Sequence, residues 1–220
     1  MASLSRNPVR LFLSYSSKDR TFCSHLKTEL SKYGLNVFLA HQDIAPSIEW
    51  QKKILRQLSI CDVFVPILTK NFRGSLWTDQ ESGFAMAHRK HVLPLAVGTM
   101  PYAFVARYQA VKGEAMSIRE MSFEIVKSLA PSRDLRQRVG EMIVQVLGKS
   151  SSADDSGDIL RALALLSPLS TTQLARILRK VNSNHTIFRA KAIRALRKIM
   201  IDNERRVDKN LLRRVEDYLW

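Results

Sequence analysis

Short, almost continuous apolar runs alternate with amphipathic helices in the N-terminal half of the chain, and this alternation constrains the fold most. The runs Val9–Tyr15, Asn36–Leu39, Asp62–Leu68 and His91–Val97 have the length and composition of strands. Strands that are apolar on both faces are typical of parallel sheets, because crossover helices cover both sides. The sequence therefore predicts a doubly wound α/β module, in which ligands bind at the carboxyl ends of the strands.

The stretch 150–157 (SSSADDSG) differs in composition from what precedes it. It is small, polar and acidic, which is typical of a linker. Only amphipathic helical segments follow it, with no strand pattern. We therefore predict an α/β domain with an additional C-terminal helix over residues 1–149, a linker over 150–157, and a small all-α unit over 158–220.

The chain is strongly basic, with a formal net charge of +15. Residues 151–220 alone hold 14 Lys and Arg against 8 Asp and Glu, spread over the helices without a dense basic tail. The positive electrostatic potential of such a chain attracts nucleic acids and phosphorylated small molecules, although it does not identify a partner. The basic helices of the tail can therefore bind nucleic-acid phosphates, pack against the first domain, or mediate self-assembly.

The sequence shows no recognisable targeting signal or metal-binding motif. No apolar run has the length of a signal peptide or of a membrane span, so we expect a cytoplasmic protein without a membrane partner. The two cysteines and five histidines do not have the spacing of metal ligands. We expect neither a metal nor a bound cofactor.

Five short motifs occur in order along residues 9–112. They are FLSYS at 12–16, GLNVF at 34–38, DIAPS at 43–47 followed by Trp50, SLWTDQE at 75–81, and the pair PY and YQA at 101–102 and 108–110. Together they resemble the TIR (Toll/interleukin-1 receptor) domain family, and its bacterial members in particular. The resemblance covers about half of the chain and implies a flavodoxin-like doubly wound parallel sheet. It says nothing about the helical tail.

The spacing of Trp77 and Glu81 suits a nucleotide. Residues four apart lie on one face of a helix, so the indole can stack on a base while the carboxylate holds ribose hydroxyls. The resemblance implies that Glu81 is the catalytic residue of an enzyme that cleaves NAD⁺. NAD⁺ would be a substrate, giving nicotinamide and ADP-ribose or a cyclic isomer. The alternative interpretation of Glu81 is a solvated residue near a helix N-terminus, where the helix dipole favours acidic side chains.

Further side chains are candidates for binding the substrate. They are Ser14, Tyr15, Ser16, Lys18, Phe38, Asp43 and Trp77. Each has a structural alternative. The residues at the end of the first strand could shape a turn, Phe38 and Trp77 could pack in the core, Asp43 could cap its loop, and Lys18 could be solvated surface.

The loop that follows the second strand suggests self-association. By resemblance, this loop reaches a neighbouring subunit and completes its active site, with Ile44, Pro46 and Ile48 as the docking residues. The resemblance also implies a role in bacterial antiphage or immune signalling, with an effector or sensor protein as partner. Two alternatives are a non-enzymatic scaffold that acts through TIR–TIR contacts and a nucleic-acid-binding protein that uses the basic tail.

Overall fold

The computed structural model describes residues 8–40, 50–150, 152–183, 190–213 and 219. The contacts divide the chain into two compact units. The first, which we call the α/β unit, comprises Val9–Ser31 and Leu35–Ser128. The second, which we call the helical unit, comprises Pro8, Lys32–Gly34 and the chain from Leu129 onward.

The α/β unit is built on a parallel sheet, to which the described residues contribute six strands. They are β1 (Arg10–Ser14), β2 (Asn36–Leu39), β3 (Val63–Leu68), β4 (His91–Val92), β5 (Leu95–Ala96) and β6 (Val111–Lys112). The order is β2-β1-β3-β5-β6, with β4 paired to the beginning of β3 and β5 to its end. The central position of β1 and β3 brings their carboxyl ends together at one edge of the sheet.

Helices flank this sheet and account for the apolar pattern of its strands. They are α1 (Arg20–Ser31), α2 (Trp50–Ile60), α3 (Leu76–Ala87) and α4 (Ile118–Ser128). The helix α1 packs against α4, and α2 packs against α3. All six residues of β3 and four of the five in β1 are buried, as a strand covered on both faces requires. The predicted flavodoxin-like doubly wound fold is confirmed.

The predicted fourth strand, His91–Val97, is two short strands. The chain pairs with β3 through β4, and the backbone N–H of Leu93 still donates a 2.9 Å hydrogen bond to the carbonyl of Phe64. The chain leaves the ladder at Pro94 and pairs again through β5. The break falls at Pro94 because proline has no N–H to donate. Its carbonyl is still used, since it accepts a 2.9 Å hydrogen bond from the backbone N–H of Val111 at the start of β6.

The helical unit contains five helices within the described residues. They are α5 (Arg133–Leu147), α6 (Ala153–Leu165), α7 (Thr171–Ser183), α8 (Ala190–Asp202) and α9 (Lys209–Arg213). The helix α6 packs against α8 and α5, and α5 also packs against α7. Fully buried leucines and isoleucines, such as Leu160, Ile177 and Ile199, form the core. None of the helices described is both long and apolar enough to cross a membrane.

The observed boundary differs from the predicted one in two respects. The helix α5, which we assigned to the first domain, groups with the helical unit. The predicted linker 150–157 contains the first turns of α6, whose N-cap is Ser152. The Ser152 hydroxyl accepts a 3.0 Å hydrogen bond from the backbone N–H of Asp155. Serine and aspartate are favoured in loops and at helix N-termini alike, so their composition misled the prediction.

Candidate functional site

The candidate site lies where the carboxyl end of β1 meets the first turns of α3. Ser75 stands at the N-cap position of α3, but its side chain makes no capping hydrogen bond. Thr78 ties the helix start to the preceding loop instead. Its hydroxyl donates to the carbonyls of Ser75 at 2.7 Å and Phe72 at 3.2 Å. These contacts fix the direction in which the next turn of α3 presents its side chains.

Glu81 lies on that next turn and points into the protein. Only 3% of its surface is exposed. The hydroxyl of Ser14, the last residue of β1, donates a 2.5 Å hydrogen bond to Oε2 of Glu81. The other oxygen, Oε1, is buried without a hydrogen-bond partner among the described residues. A buried polar atom left in this way costs about 1–3 kcal/mol and calls for a functional explanation.

The environment of Glu81 changes its acidity. Burial raises the pKa of this carboxyl from 4.5 to about 7, while the hydrogen bond from Ser14 opposes the rise. Burial dominates because the ionised form loses its hydration, and one hydroxyl compensates only part of that loss. Near neutral pH the carboxyl therefore exists in both forms. A carboxyl of this kind can stabilise a nearby cation when ionised or hold a proton when neutral.

The other predicted site residues fall into four groups. Tyr15 and Ser16 are buried directly after Ser14, and Trp77 is half-buried one helical turn before Glu81. Phe38 is half-buried, with its ring centroid 5.3 Å from that of Phe12, so it packs against the core of the sheet. Lys18 is exposed in a short 3-10 turn. Asp43, Ile44, Pro46 and Ile48 lie outside the described residues.

A hydrogen-bonded clamp beside the site escaped the sequence analysis. The carboxylate of Asp19 accepts a 2.6 Å bond from the hydroxyl of Thr69 and a 2.8 Å bond from the amide of Asn71. Asp19 follows β1, whereas Thr69 and Asn71 follow β3. The clamp therefore joins the two loops at the carboxyl edge of the sheet. The adjacency of two strand ends carrying polar residues is the signal that could have revealed it.

A second polar group lies at the exposed start of α3. The hydroxyl of Tyr102 donates a 2.8 Å bond to Asp79, and the guanidinium of Arg73 lies 5.3 Å from the centre of the Tyr102 ring. Burial, together with the hydrogen bond to Asp79, raises the pKa of Tyr102 to about 12. Tyr102 therefore stays protonated at neutral pH and holds the segment after β5 against α3.

Comparison with family models yields a match over the α/β unit. A family model described as the TIR domain matches residues 11–121, just over half of the chain. The matched segment runs from β1 into α4 and includes Ser14 and Glu81. The chain from Leu129 onward lies outside it. No curated protein matches the chain.

Proposed function

Because this chain belongs to the TIR domain family, we propose that its α/β unit cleaves the nicotinamide–ribose bond of NAD⁺ and that Glu81 is the catalytic residue. The products are nicotinamide and either ADP-ribose or a cyclic isomer. Attack by water on the ribose gives ADP-ribose. Attack by a hydroxyl or ring nitrogen of the same molecule gives a cyclic product.

The observation that carries this proposal is the burial of Glu81 at the carboxyl edge of the sheet. A structural carboxylate is normally solvated or paired with a cation, because an ionised group is costly to bury. Glu81 instead has one oxygen held by the Ser14 hydroxyl and the other without a partner among the described residues. On this proposal, Oε1 is the acceptor that a ribose hydroxyl of the substrate would occupy.

The chemistry needs few other groups. Nicotinamide leaves as a neutral molecule, so the reaction needs little acid catalysis, and the ribose becomes positively charged as the bond breaks. A fixed carboxylate stabilises that charge more in the transition state than in the ground state. The nicotinamide ring of bound NAD⁺ is itself cationic, so it favours the ionised form of Glu81. Substrate binding would thus convert the carboxyl to the form that the reaction requires.

Neighbouring residues have proposed roles in holding the nucleotide. Trp77 would stack on a ring of the substrate, while Tyr15 and Ser16 would shape the pocket where β1 ends. Lys18, which is exposed, would approach the pyrophosphate, and Asp43 would contact the nucleotide from its loop. Phe38 would support the pocket through the core, given its contact with Phe12.

The proposal also includes self-association. TIR domains generally self-associate, and the described part of the α/β unit exposes several large apolar side chains, of which three are more than half exposed. Leu76 is 78% exposed, Met100 68% and Phe104 67%. We propose that the segment containing Ile44, Pro46 and Ile48 completes the pocket of a neighbouring copy. The resemblance to bacterial members supports a role in antiphage immune signalling, with an effector or sensor as partner.

The direct experiment is incubation of the purified full chain with NAD⁺ over a range of protein concentrations. Nicotinamide and a matching amount of ADP-ribose or its cyclic isomer are the expected products, measured by chromatography. The rate per protein molecule is expected to rise with concentration if neighbouring copies complete the site. Intact NAD⁺ at concentrations where the protein demonstrably self-associates would overturn the enzymatic proposal.

The same experiment addresses the second candidate function, a non-enzymatic scaffold acting through TIR–TIR contacts. On this candidate function, exposed apolar side chains such as Leu76, Met100 and Phe104 would contribute to the contact between copies. Glu81 argues against it, since a scaffold needs no buried carboxyl with an unpaired oxygen. Self-association without turnover is the outcome expected of a scaffold.

Ser14 is expected to act on catalysis through Glu81. Replacing Ser14 by alanine removes the hydrogen bond that favours the ionised carboxyl, so the pKa of Glu81 rises further. The rate of NAD⁺ cleavage should then fall by up to about tenfold below neutral pH and recover at alkaline pH. The pH profile of kcat/KM measures this effect, because it reports the pKa of Glu81 in the free protein.

Ser14→Thr is the matched control because it keeps the hydroxyl. It is expected to retain the profile of the wild type, or to lose rate equally at every pH if the extra methyl group disturbs packing. A Ser14→Ala variant whose rate falls by the same factor at all pH values would show that Ser14 has only a structural role.

A further inference from the structure

The helical unit contains a groove that the proposed enzyme activity does not use. Two adjoining depressions, of about 320 and 810 Å³, share Arg206 in their linings. They lie beside the first turns of α5, the first turns of α7, and the 3-10 turn Glu204–Arg206 that follows α8. We call this surface the arginine groove. Its defining residues are Arg133, Arg136, Arg176, Arg179, Arg205 and Arg206.

Carboxylates do not neutralise this set. The described lining contains two, Glu141 and Asp208, and both are engaged. Glu141 forms a 2.9 Å ion pair with Arg176. Asp208 accepts hydrogen bonds from the backbone N–H groups of Asn210 and Leu211 at the start of α9. Six arginines against two carboxylates leave the described lining with a net positive charge.

Three basic residues elsewhere in the helical unit, by contrast, each pair with a carboxylate. Arg161 pairs with Asp158, Lys191 with Asp154 and Lys198 with Asp202, at 2.9–3.7 Å. Within the described part of the chain, four arginines of the groove have no ion pair or side-chain hydrogen bond. They are Arg133, Arg136, Arg179 and Arg205. Positive charge concentrated without carboxylate partners is unfavourable in the free protein and becomes favourable when a polyanion binds.

The chemistry of the lining indicates which polyanion fits. Guanidinium groups bind phosphate oxygens through two parallel hydrogen bonds, and the hydroxyls of Thr171 and Thr172 add further donors. The arginines extend over two open depressions, which suits a chain of phosphates better than a single one. No aromatic side chain occurs among the described lining residues, so bases have no surface on which to stack. That absence favours a paired duplex, whose bases are already stacked, over a single strand.

We propose that the arginine groove binds the phosphate backbone of double-stranded nucleic acid without reading its sequence. Contacts confined to phosphates fix the position of a duplex and carry no direct sequence information. Binding of this kind releases counterions and weakens steeply as salt increases. The groove would thus add a nucleic-acid site to a chain whose α/β unit acts on a dinucleotide.

The test uses the full chain and a short fluorescent DNA duplex, with binding followed by anisotropy from about 50 to about 200 mM salt. The triple variant Arg133→Ala, Arg179→Ala, Arg205→Ala removes three exposed, unpaired charges. Its affinity is expected to fall by roughly tenfold or more at low salt, and the slope of log affinity against log salt by about two to three.

A matched control removes three charges from the same unit. The variant Arg161→Ala, Lys191→Ala, Lys198→Ala replaces residues that are already paired with carboxylates, and it is expected to bind the duplex within about twofold of the wild type. Equal losses in the two variants would overturn the proposal, because net charge alone would then explain binding. Circular dichroism of both variants verifies that the helices are intact.

Two competitors distinguish the nature of the ligand. A single strand of the same length is expected to bind more weakly than the duplex, and inorganic triphosphate is expected to displace the duplex only at much higher concentration. Preference for the single strand, or displacement by triphosphate at concentrations comparable to those of the duplex, would overturn the assignment to duplex nucleic acid. So would the absence of duplex binding by the wild type at low salt.

Discussion

Replacing Glu81 by glutamine is expected to lower the rate of NAD⁺ cleavage by about 10²–10³-fold, the loss typical of removing one preorganised charge-stabilising group. Glutamine has nearly the size of glutamate, and its carbonyl can accept the hydrogen bond that Ser14 donates to Oε2 in the wild type. The substitution therefore preserves the packing and removes the negative charge. What is lost is the stabilisation of the positive ribose in the transition state.

The measurement is the initial rate of nicotinamide release at saturating NAD⁺, which isolates kcat. Glu114→Gln is a suitable control, because Glu114 is an exposed glutamate of the same α/β unit. It removes the same charge from the surface and is expected to leave kcat unchanged. If Glu81→Gln and Glu114→Gln both turned over NAD⁺ at the rate of the wild type, Glu81 would have no part in the mechanism.

The same substitution is expected to stabilise the folded protein at neutral and alkaline pH. The pKa of Glu81 is about 7 in the folded chain against an ordinary value of 4.5. Below pH 4.5 the carboxyl is protonated in both the folded and the unfolded chain, so it imposes no electrostatic penalty. As pH rises through 4.5 the unfolded chain ionises first, and the folded state loses stability until pH exceeds about 7.

The size of this change in stability follows from the shift in the pKa of Glu81. A pKa raised from 4.5 to about 7 corresponds to about 3 kcal/mol of unfolding free energy lost between acid and alkaline pH. Glutamine does not ionise, so Glu81→Gln avoids the loss. Denaturant unfolding of the two proteins at several pH values measures the difference. Their stabilities should diverge as pH rises from 4.5 towards about 8.

Glu114→Gln is again the control. Its free energy of unfolding is expected to differ from that of the wild type by an amount that stays nearly constant with pH. A constant difference for Glu81→Gln as well would contradict the raised pKa and the burial that causes it. A variant that gains stability while it loses activity would show that Glu81 is held at a thermodynamic cost for function, which is typical of active sites.

The strands that could be predicted from the sequence are those that are buried on both faces. Phe12 and Phe64 lie in runs that are buried on both faces, so the apolar pattern of β1 and β3 was sufficient to find them. The strand β6 has only two residues, Val111 and Lys112, and is too short for a pattern to be recognised. The break at Pro94 results from its missing N–H. It was not predicted because Pro94 lies within an apolar run that has the length of a single strand.

The position of Glu81 on a helix could be predicted, whereas its environment could not. The motif that carries the family resemblance gave its place on α3. The hydrogen bond from Ser14 joins residues 67 positions apart, and it exists only because the sheet order brings β1 beside α3. For the same reason the clamp formed by Asp19, Thr69 and Asn71 was invisible from local sequence. Each of these contacts joins residues that are distant in sequence, and only the topology of the sheet brings them together.

Enclosing Glu81 between a strand end and a helix has a consequence for regulation in a living cell. Since its carboxyl titrates at about pH 7, a modest drop in cellular pH protonates it and a modest rise ionises it. On the proposed function, acidification would slow cleavage most when NAD⁺ is scarce, because bound NAD⁺ favours the ionised form of Glu81. The depth of one side chain would thus make the rate of cleavage sensitive to pH near neutrality.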